Sequence, residues 1–133
     1  MSRVLFVCLH NAGRSQISQA LFERAANRRH EARSAGTMPA DRVHPNVAAV
    51  MGEVGVELGE RSPQLLTTKL SQWPDVVVTM GCGDACRVIS GKRYIDWDLR
   101  DPTDLSVQEV RAIRDDIAAR VARLVESLDR ELD

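Results

Sequence analysis

Residues 3–16, RVLFVCLHNAGRSQ, pass from an apolar run through a loop of mostly small residues into a helical pattern. The run at residues 3–7 is rich in β-branched and apolar side chains, which is typical of a buried strand closed by Cys8. From Ser15 to about Arg28, apolar residues recur at three- and four-residue spacing, so an amphipathic helix is predicted directly after the strand. Cys8 therefore opens a loop between a strand and a helix.

The rest of the chain repeats this alternation of strands and helices. Further strands are predicted at residues 31–35, 75–80 and 93–95. Helices are predicted at residues 45–54, from a Ser62-Pro63 cap through Leu70, and from Ser106 towards Leu132. This rhythm indicates an α/β fold, a three-layer αβα arrangement around a short, mostly parallel four-stranded sheet, in one domain over residues 1–133. In such sheets ligands bind beyond the carboxyl ends of the strands.

Length and charge exclude several classes of function. A chain of 133 residues is large enough to bury one core without metal or disulfide support. The 18 Lys plus Arg against 19 Asp plus Glu leave no basic excess for a nucleic-acid backbone. No apolar run approaches the roughly 20 residues that cross a bilayer, and the first residues do not resemble a secretion signal. We therefore expect a cytoplasmic protein with no nucleic-acid or membrane partner.

The chain has three cysteines, at positions 8, 82 and 86. An odd, sparse set argues against a disulfide framework and leaves buried thiols, a metal site or redox chemistry. Cys82 and Cys86 lie four residues apart, and Gly81 and Gly83 flank Cys82, so a disulfide between the two cysteines is within reach after local rearrangement. A zinc site made of the three cysteines and His10 is the alternative, but the spacing is untypical of structural zinc, and no metal is predicted.

Cys8 and Arg14 form the pattern C-x-x-x-x-x-R. Loop N–H groups and the positive end of the following helix can bind an oxyanion, and the planar fork of Arg14 suits two oxygens of a tetrahedral anion. The same positive field favours the thiolate form of Cys8. Ser15 is a candidate hydrogen-bond donor to that thiolate, and Asn11 is suited to a left-handed turn. Taken alone, the pattern also fits a cysteine that is simply a small buried hydrophobic residue.

Asp101-Pro102 contains a candidate general acid. Displacement at a tetrahedral centre requires a proton for the departing oxygen, and an aspartate facing the thiolate can provide it. Asp-Pro before a helix is also common turn chemistry, and Asp98 and Asp104 are nearby acids, so this signal is weak by itself.

Three stretches together resemble one known family: VLFVCLHNAGRSQ at 4–16, VVVTMGCGDAC at 76–86 and DWDLRDP at 96–102. They are similar, in this order, to the arsenate reductases built on the low-molecular-weight protein tyrosine phosphatase fold. The resemblance implies that arsenate binds in the loop and is attacked by the first cysteine. The catalytic residues it implies are Cys8, Arg14, Ser15, Cys82, Cys86 and Asp101. The oxyanion-binding residues it implies are Cys8, Leu9, His10, Asn11, Ala12, Gly13, Arg14 and Ser15.

The resemblance also implies a thiol relay. Cys82 attacks the Cys8 sulfur of the arsenate adduct, arsenite leaves, and a Cys8–Cys82 disulfide remains. Cys86 then moves the disulfide to the Cys82–Cys86 pair, where thioredoxin reduces it. No cofactor is implied, and the implied partners are arsenate and thioredoxin.

The chain departs from the family at three points. Only three residues separate the last two cysteines, His10 stands where phosphatases often have glycine, and Gln64 replaces an acidic residue of a potassium site, so potassium is not predicted.

Three other functions remain open. A low-molecular-weight tyrosine phosphatase would use the same loop and acid, but Cys82 and Cys86 would have no role in its reaction. An arsenate reductase coupled to a small thiol and a glutaredoxin-like protein needs only the first cysteine. A non-catalytic redox sensor or oxyanion-binding protein would not need Asp101. A monomer is expected, since the last helix carries a single apolar stripe.

Overall fold

The computed structural model describes residues 1–81 and 92–132. These ranges contain four strands and four helices. In chain order they are β1 (Arg3–Cys8), α1 (Arg14–Ala26), β2 (Glu31–Gly36), α2 (Pro45–Gly52), α3 (Thr68–Gln72), β3 (Val76–Thr79), β4 (Arg93–Asp96) and α4 (Val107–Arg130).

The four strands form one sheet in the order β2-β1-β3-β4, and every neighbouring pair is parallel. β1 is central: it pairs with β2 up to Cys8 opposite Gly36, and with β3 up to Val7 opposite Thr79. The direction of strand order reverses between β1 and β3, which is where open parallel sheets bind ligands. The predicted α/β architecture is confirmed, and the sheet is parallel throughout in the described residues. β1 ends with Cys8 at this switch point.

Helices cover both faces of the sheet. Val4 and Phe6 of β1 face a core shared with α1, α2 and α4, whereas Leu5 and Val7 face a smaller cluster that includes Leu70 of α3. Successive side chains of a strand point to opposite faces, so a strand buried on both sides must be apolar throughout. This explains the continuous apolar run that marks β1 in the sequence.

α4 is capped as the sequence predicts. The Ser106 side chain accepts a hydrogen bond from the Glu109 N–H at 3.2 Å, and the Glu109 carboxylate accepts one from the Ser106 N–H at 3.3 Å. Its apolar stripe is buried from Val110 to Leu128, and the helix, predicted to run towards Leu132, ends at Arg130, with Leu132 beyond it 46% exposed. Among the helices at residues 1–81 and 92–132, none has the length and apolar content needed to cross a membrane.

The helix predicted to follow the serine-proline pair at 62–63 begins later than expected. α3 starts after Thr67, whose side chain accepts a hydrogen bond from the Leu70 N–H at 3.1 Å. The preceding backbone is instead bound to the end of β2: Gly36 N–H donates to the Gln64 carbonyl, and Leu66 N–H donates to the Gly36 carbonyl, both at 2.8 Å. The prediction was wrong because these long-range bonds compete with a helical turn at the same backbone groups.

An ion-pair network joins the end of α2 to α4. Glu53 accepts hydrogen bonds from the guanidinium groups of Arg111 and Arg114. The hydrogen bond from Arg111, opposed by burial and reinforced by Arg114, lowers the pKa of Glu53 to about 2. A carboxylate whose pKa is lowered by folding stabilises the protein above its unfolded pKa, and this contribution disappears as pH falls through the folded pKa.

We therefore expect Glu53→Gln to lower the melting temperature at neutral pH. The difference from wild type should shrink as pH falls from about 4.5 towards 2, the window between the unfolded and folded pKa of Glu53. Thermal denaturation followed by circular dichroism across this range measures it. Glu60→Gln, which removes the same charge from an exposed turn, is the control, and an equal, pH-independent loss in both variants would contradict the network.

Candidate active site

The anion loop, residues 8–15, is fastened to the segment that follows β2. Four of its carbonyl groups accept hydrogen bonds from backbone N–H groups of that segment. The pairs are Cys8 with Thr37 at 3.2 Å, Leu9 with Met38 at 2.8 Å, His10 with Ala40 at 3.0 Å, and Ala12 with His44 at 2.9 Å. In a trans peptide the C=O and the next N–H point in opposite directions, so the N–H groups that follow these carbonyls turn towards the other side of the loop. That side contains the Cys8 thiol, as the Asn11 N–H shows by donating to Cys8 Sγ at 3.3 Å.

The Cys8 thiol has a second hydrogen-bond donor whose direction can be deduced. Asn11 Oδ1 accepts from the Gln64 backbone N–H at 3.0 Å, so its amide nitrogen is the atom that contacts Ser15 Oγ at 2.6 Å. The Ser15 oxygen is thus an acceptor from Asn11, and when Cys8 is a thiolate, which can only accept, the single Ser15 hydrogen is available to Cys8 Sγ, 2.9 Å away. Two donors, the Asn11 N–H and the Ser15 O–H, therefore converge on the sulfur, an arrangement that stabilises a thiolate.

Asn11 turns the loop. Its φ of 50° lies in the left-handed region, which asparagine tolerates better than most residues. Gln16 Nε2 also donates to Asn11 Oδ1 at 3.2 Å, so the side chain is buried with its oxygen fully used. The expectation that Asn11 suits a left-handed turn is confirmed.

Gly36 allows the close approach of the anion loop to β2. A Cβ at this position would lie 2.8 Å from the Leu9 carbonyl oxygen and 2.9 Å from the Asn11 nitrogen. These are rigid backbone atoms, so any larger residue must push the loop away from the sheet.

Arg14 is buried and held at its guanidinium. Nη1 donates to the Leu99 carbonyl at 3.1 Å, and Nη2 lies 3.7 Å from Asp101 Oδ2. Gly81, with a φ of +82°, packs against the same guanidinium, where a Cβ would overlap it. Two chain segments, residues 99–101 and Gly81, thus fix the direction of this side chain, and Arg14 retains further N–H groups for an anion.

Asp101 faces Arg14 and is held by a turn. Its Oδ1 accepts hydrogen bonds from the Thr103 N–H at 2.9 Å and the Thr103 hydroxyl at 2.6 Å. Burial raises the pKa of Asp101, but the two Thr103 bonds and the charges of Arg14 and His10 outweigh it, so the pKa lies below its ordinary value. Asp101 is thus ionised at neutral pH in the anion-free protein, and a bound oxyanion beside it would raise its pKa again.

The loop that carries Asp101 is seated on the anion loop. A Cβ on Gly13 would lie 2.5 Å from Pro102 Cγ, so the absence of a side chain at Gly13 makes this contact possible. Asn46 of α2 fastens the loop from the other side by donating to the Pro102 carbonyl at 2.9 Å and the Leu105 carbonyl at 3.1 Å. The Asp-Pro pair is therefore a packed feature of the site as well as a turn.

Two histidines stand beside Asp101. The rings of His10 and His44 are 6.2 Å apart between centroids, and His44 Nε2 lies 3.2 Å from the Thr103 hydroxyl. Burial lowers the pKa of His44, Asp101 opposes this, and His10 adds to the lowering, so the net pKa is below its ordinary value.

The structure brings together most of the residues singled out from the sequence. Cys8, the intervening loop residues, Arg14 and Ser15 lie on the connection from β1 into α1, and Asp101 approaches Arg14 from the loop before α4. Cys82 and Cys86 lie outside the described residues, and Gly81 beside Arg14 is the residue directly before Cys82 in the chain.

Sequence reasoning missed several supporting residues. Thr103 was detectable, because Asp-Pro-Thr fits an Asx turn in which the carboxylate accepts the N–H two residues on. Gly36, His44 and Asn46 had no local signal, because their partners are distant in the chain.

Comparison with known proteins agrees with the fold and the loop. A family model described as low molecular weight phosphotyrosine protein phosphatase matches residues 3–133. The chain is 43% identical over 129 residues to a Halobacterium salinarum protein provisionally named an arsenate reductase. That alignment covers 93% of this chain and 91% of the Halobacterium protein. It is 29% identical over 128 residues to a glutaredoxin arsenate reductase of Synechocystis, across 94% of this chain and 97% of that one.

A solved structure adds a further relative. A thioredoxin-dependent arsenate reductase of Corynebacterium glutamicum matches with a TM-score of 0.83 and 39% identity, over 98% of this chain. This chain spans 63% of the length of that reductase.

The fold is a parallel α/β sheet, and its candidate site is a cysteine in the loop between the first strand and the first helix. Together they define a class of α/β proteins in which a cysteine faces a bound anion. The chain belongs to the low-molecular-weight phosphotyrosine protein phosphatase family. The resemblance to its arsenate reductase members is confirmed.

Gly36→Ala should displace the anion loop. We expect the protein to lose about 1–3 kcal/mol of stability through overpacking, and binding of phosphate to weaken by at least about tenfold through misplaced loop N–H groups. Chemical denaturation and calorimetric phosphate titration measure the two effects. Gly52→Ala is the control, because a Cβ there meets nothing within 4 Å; unchanged phosphate affinity in Gly36→Ala would contradict the role of this contact.

Thr103→Val should raise the pKa of Asp101. The substitution keeps the shape of the side chain but removes the hydroxyl that donates to the carboxylate, so the ionised form loses a stabilising partner. Carbon-13 NMR titration of the Asp101 carboxyl group follows its midpoint, which should move to higher pH. Thr103→Ser retains the hydroxyl and should titrate close to wild type; an identical midpoint in all three proteins would show that the bond does not hold the carboxylate.

Proposed function

We propose that this protein is an arsenate reductase in which Cys8 is the nucleophile and thioredoxin is the final reductant. The observation that carries the proposal is the environment of the Cys8 thiol. It receives hydrogen bonds from the Asn11 N–H and the Ser15 O–H inside a loop whose carbonyls are turned away. A thiolate and a tetrahedral oxyanion both need such a site.

Arsenate would bind to the inward N–H groups of the anion loop and to the free edge of the Arg14 guanidinium. A bidentate guanidinium contact fixes the orientation of a tetrahedral anion as well as binding it. Leu99 and Gly81 hold Arg14 in place before the anion arrives, so little ordering is needed on binding.

In the first step, the Cys8 thiolate attacks arsenic and one arsenate oxygen leaves as water. Asp101 is the proton donor for that oxygen, once the bound anion has raised its pKa. An S–As bond forms and an As–O bond breaks, and arsenic remains in its +5 state.

In the second step, the Cys82 thiolate attacks Cys8 Sγ. The S–As bond breaks and its electron pair leaves with arsenic, which becomes arsenite, while the two sulfurs are oxidised to a Cys8–Cys82 disulfide. Cys86 then attacks Cys82, which restores the Cys8 thiolate and leaves a Cys82–Cys86 disulfide for the thioredoxin dithiol to reduce. Gly81 packs against the Arg14 guanidinium and is the residue directly before Cys82 in the chain. This supports Cys82, and not Cys86, as the cysteine that attacks Cys8.

A phosphatase would use the same anion loop, but two features favour the reductase. The chain has one tyrosine, Tyr94, which lies on β4, and Thr103 follows the Asp-Pro pair where phosphatases often carry an aromatic residue. Thr103 is committed to Asp101 through two hydrogen bonds. The named reductase relatives in Halobacterium salinarum and Corynebacterium glutamicum support the same choice.

We expect Cys86→Ser to abolish multiple-turnover reduction and to spare the first step. The assay is arsenate-dependent NADPH oxidation by the full chain with thioredoxin and thioredoxin reductase. Wild type should oxidise NADPH continuously, whereas Cys86→Ser should not, because its disulfide cannot be passed on. Arsenite released by Cys86→Ser should reach about one equivalent per protein and then stop. Cys8→Ser, which lacks the nucleophile, should release none.

Three results would redirect the proposal. Continued turnover by Cys86→Ser would contradict the three-cysteine relay. If wild type is inactive with thioredoxin, a small thiol with a glutaredoxin-like protein is the next electron donor to supply. If it is inactive with both and hydrolyses an aryl phosphate, the protein is a phosphatase.

A further inference from the structure

We propose that His10, His44 and Asp101 form a binding site for a divalent cation of the zinc type at the mouth of the anion loop, and that the bound cation inhibits the enzyme. Each of the three side chains presents one ligand atom, and these atoms lie within 4.8 Å of one another. The cation site itself is independent of the function proposed above, whereas the inhibition rests on it.

The donor set selects the kind of cation. Two imidazole nitrogens and one carboxylate oxygen suit Zn²⁺ and similar transition metals, whereas Ca²⁺ and Mg²⁺ prefer an all-oxygen shell. Bonds of about 2.0–2.2 Å in a tetrahedral shell put the ligand atoms about 3.4 Å apart. The three residues are half-buried, so modest side-chain rotations can close the remaining distance. Three protein ligands leave a fourth position for water or an oxygen of the substrate anion.

Hydrogen bonds already hold each of the three ligand residues in place. The His10 carbonyl accepts from the Ala40 N–H at 3.0 Å, and the His44 N–H donates to the Ala12 carbonyl at 2.9 Å. Asp101 is positioned by the Thr103 hydroxyl on its Oδ1, which is the kind of outer hydrogen bond that orients a metal-binding carboxylate. The cluster is therefore held together by the fold and is not a chance meeting of long surface side chains.

Arg14 limits the affinity. Its guanidinium lies 3.7 Å from Asp101 Oδ2, and this positive charge opposes a cation on the same carboxylate. We therefore expect a site that empties and fills reversibly, in contrast to a permanent structural metal.

Occupation of this site would remove Asp101 from the reaction. A carboxylate oxygen that gives its lone pair to a metal cannot carry the proton that the departing arsenate oxygen requires. The first step would slow, while the later exchange between sulfurs, which does not use Asp101, would be unaffected. Inhibition by the cation would in this way link the enzyme to metal availability.

The binding test uses Zn²⁺ alone and the full chain in which all three cysteines are replaced by serine, because thiolates bind zinc independently. Calorimetry should show one equivalent of Zn²⁺ bound. Adding His44→Gln or Asp101→Asn to this background should weaken binding by at least about tenfold, because each removes a ligand. Adding Asp104→Asn should leave it within about threefold, since it removes a neighbouring charge by screened electrostatics only. Asn also tolerates the positive φ of Asp104, so the control does not disturb the turn.

Two outcomes overturn the site: no zinc binding in the cysteine-free protein, or equal weakening by Asp104→Asn and His44→Gln, which would indicate a diffuse charge effect. Neither depends on arsenate reduction, so failure of the proposed function is seen separately. The inhibition is tested in the protein with its cysteines, where His44→Gln should raise the Zn²⁺ concentration for half-inhibition by about tenfold. If His44→Gln is half-inhibited at the same Zn²⁺ concentration as wild type, inhibitory zinc binds to the thiols and the regulatory role is overturned.

Discussion

The anion loop depends on the outward direction of its carbonyl groups. A loop that binds an anion must turn its N–H groups inward, and this is possible only when the opposed C=O groups find partners elsewhere. Here the segment after β2 provides these partners: its N–H groups, from Thr37 to His44, donate hydrogen bonds to the loop carbonyls, from Cys8 to Ala12. The absence of a side chain at Gly36 brings this segment close enough for the bonds to form.

Once the loop has this shape, the thiol environment follows. Asn11 occupies the left-handed region and commits its side-chain oxygen to the Gln64 N–H, so its amide hydrogen is directed to Ser15. Ser15 in turn directs its hydrogen to Cys8 Sγ. The Gln64 N–H, together with Gln16 Nε2, thereby orients the Asn11 amide at the start of a chain of hydrogen bonds that ends on the nucleophile, and a change at any link would alter the last one.

The charges at the mouth of the site act in opposition. The Thr103 hydrogen bonds, with the charges of Arg14 and His10, outweigh burial and lower the pKa of Asp101, which favours the ionised carboxylate before substrate binds. Asp101 in turn opposes the loss of the proton from His44. An arriving oxyanion changes this balance because it adds negative charge next to Asp101 and neutralises Arg14. Asp101 can then hold a proton when the reaction requires one, and it is an ionised carboxylate when no anion is present.

Elements with strong local patterns could be predicted from the sequence. The apolar run of β1, the capping box at Ser106 and the stripe of α4 each depend on residues within a few positions of one another. The start of α3 was misplaced, because the backbone around Gln64 is bound to Gly36 and no nearby residue signals that pairing. The last helix was predicted to run towards Leu132 because the apolar periodicity of the sequence continues past the point where the core ends.

The sequence by itself determined the nucleophilic part of the site. Cys8, Asn11, Arg14 and Ser15 lie on one strand-to-helix connection, so a short covalent path places them around one concavity. Only the tertiary structure decided what faces them. Arg14 and its Leu99 anchor are 85 positions apart in the chain, and Asp101, His44 and Gly36 reach the loop through packing and backbone hydrogen bonds between distant segments. Such contacts leave no periodic trace in the sequence, because they depend on how the layers of the fold pack and not on the local geometry of any one element.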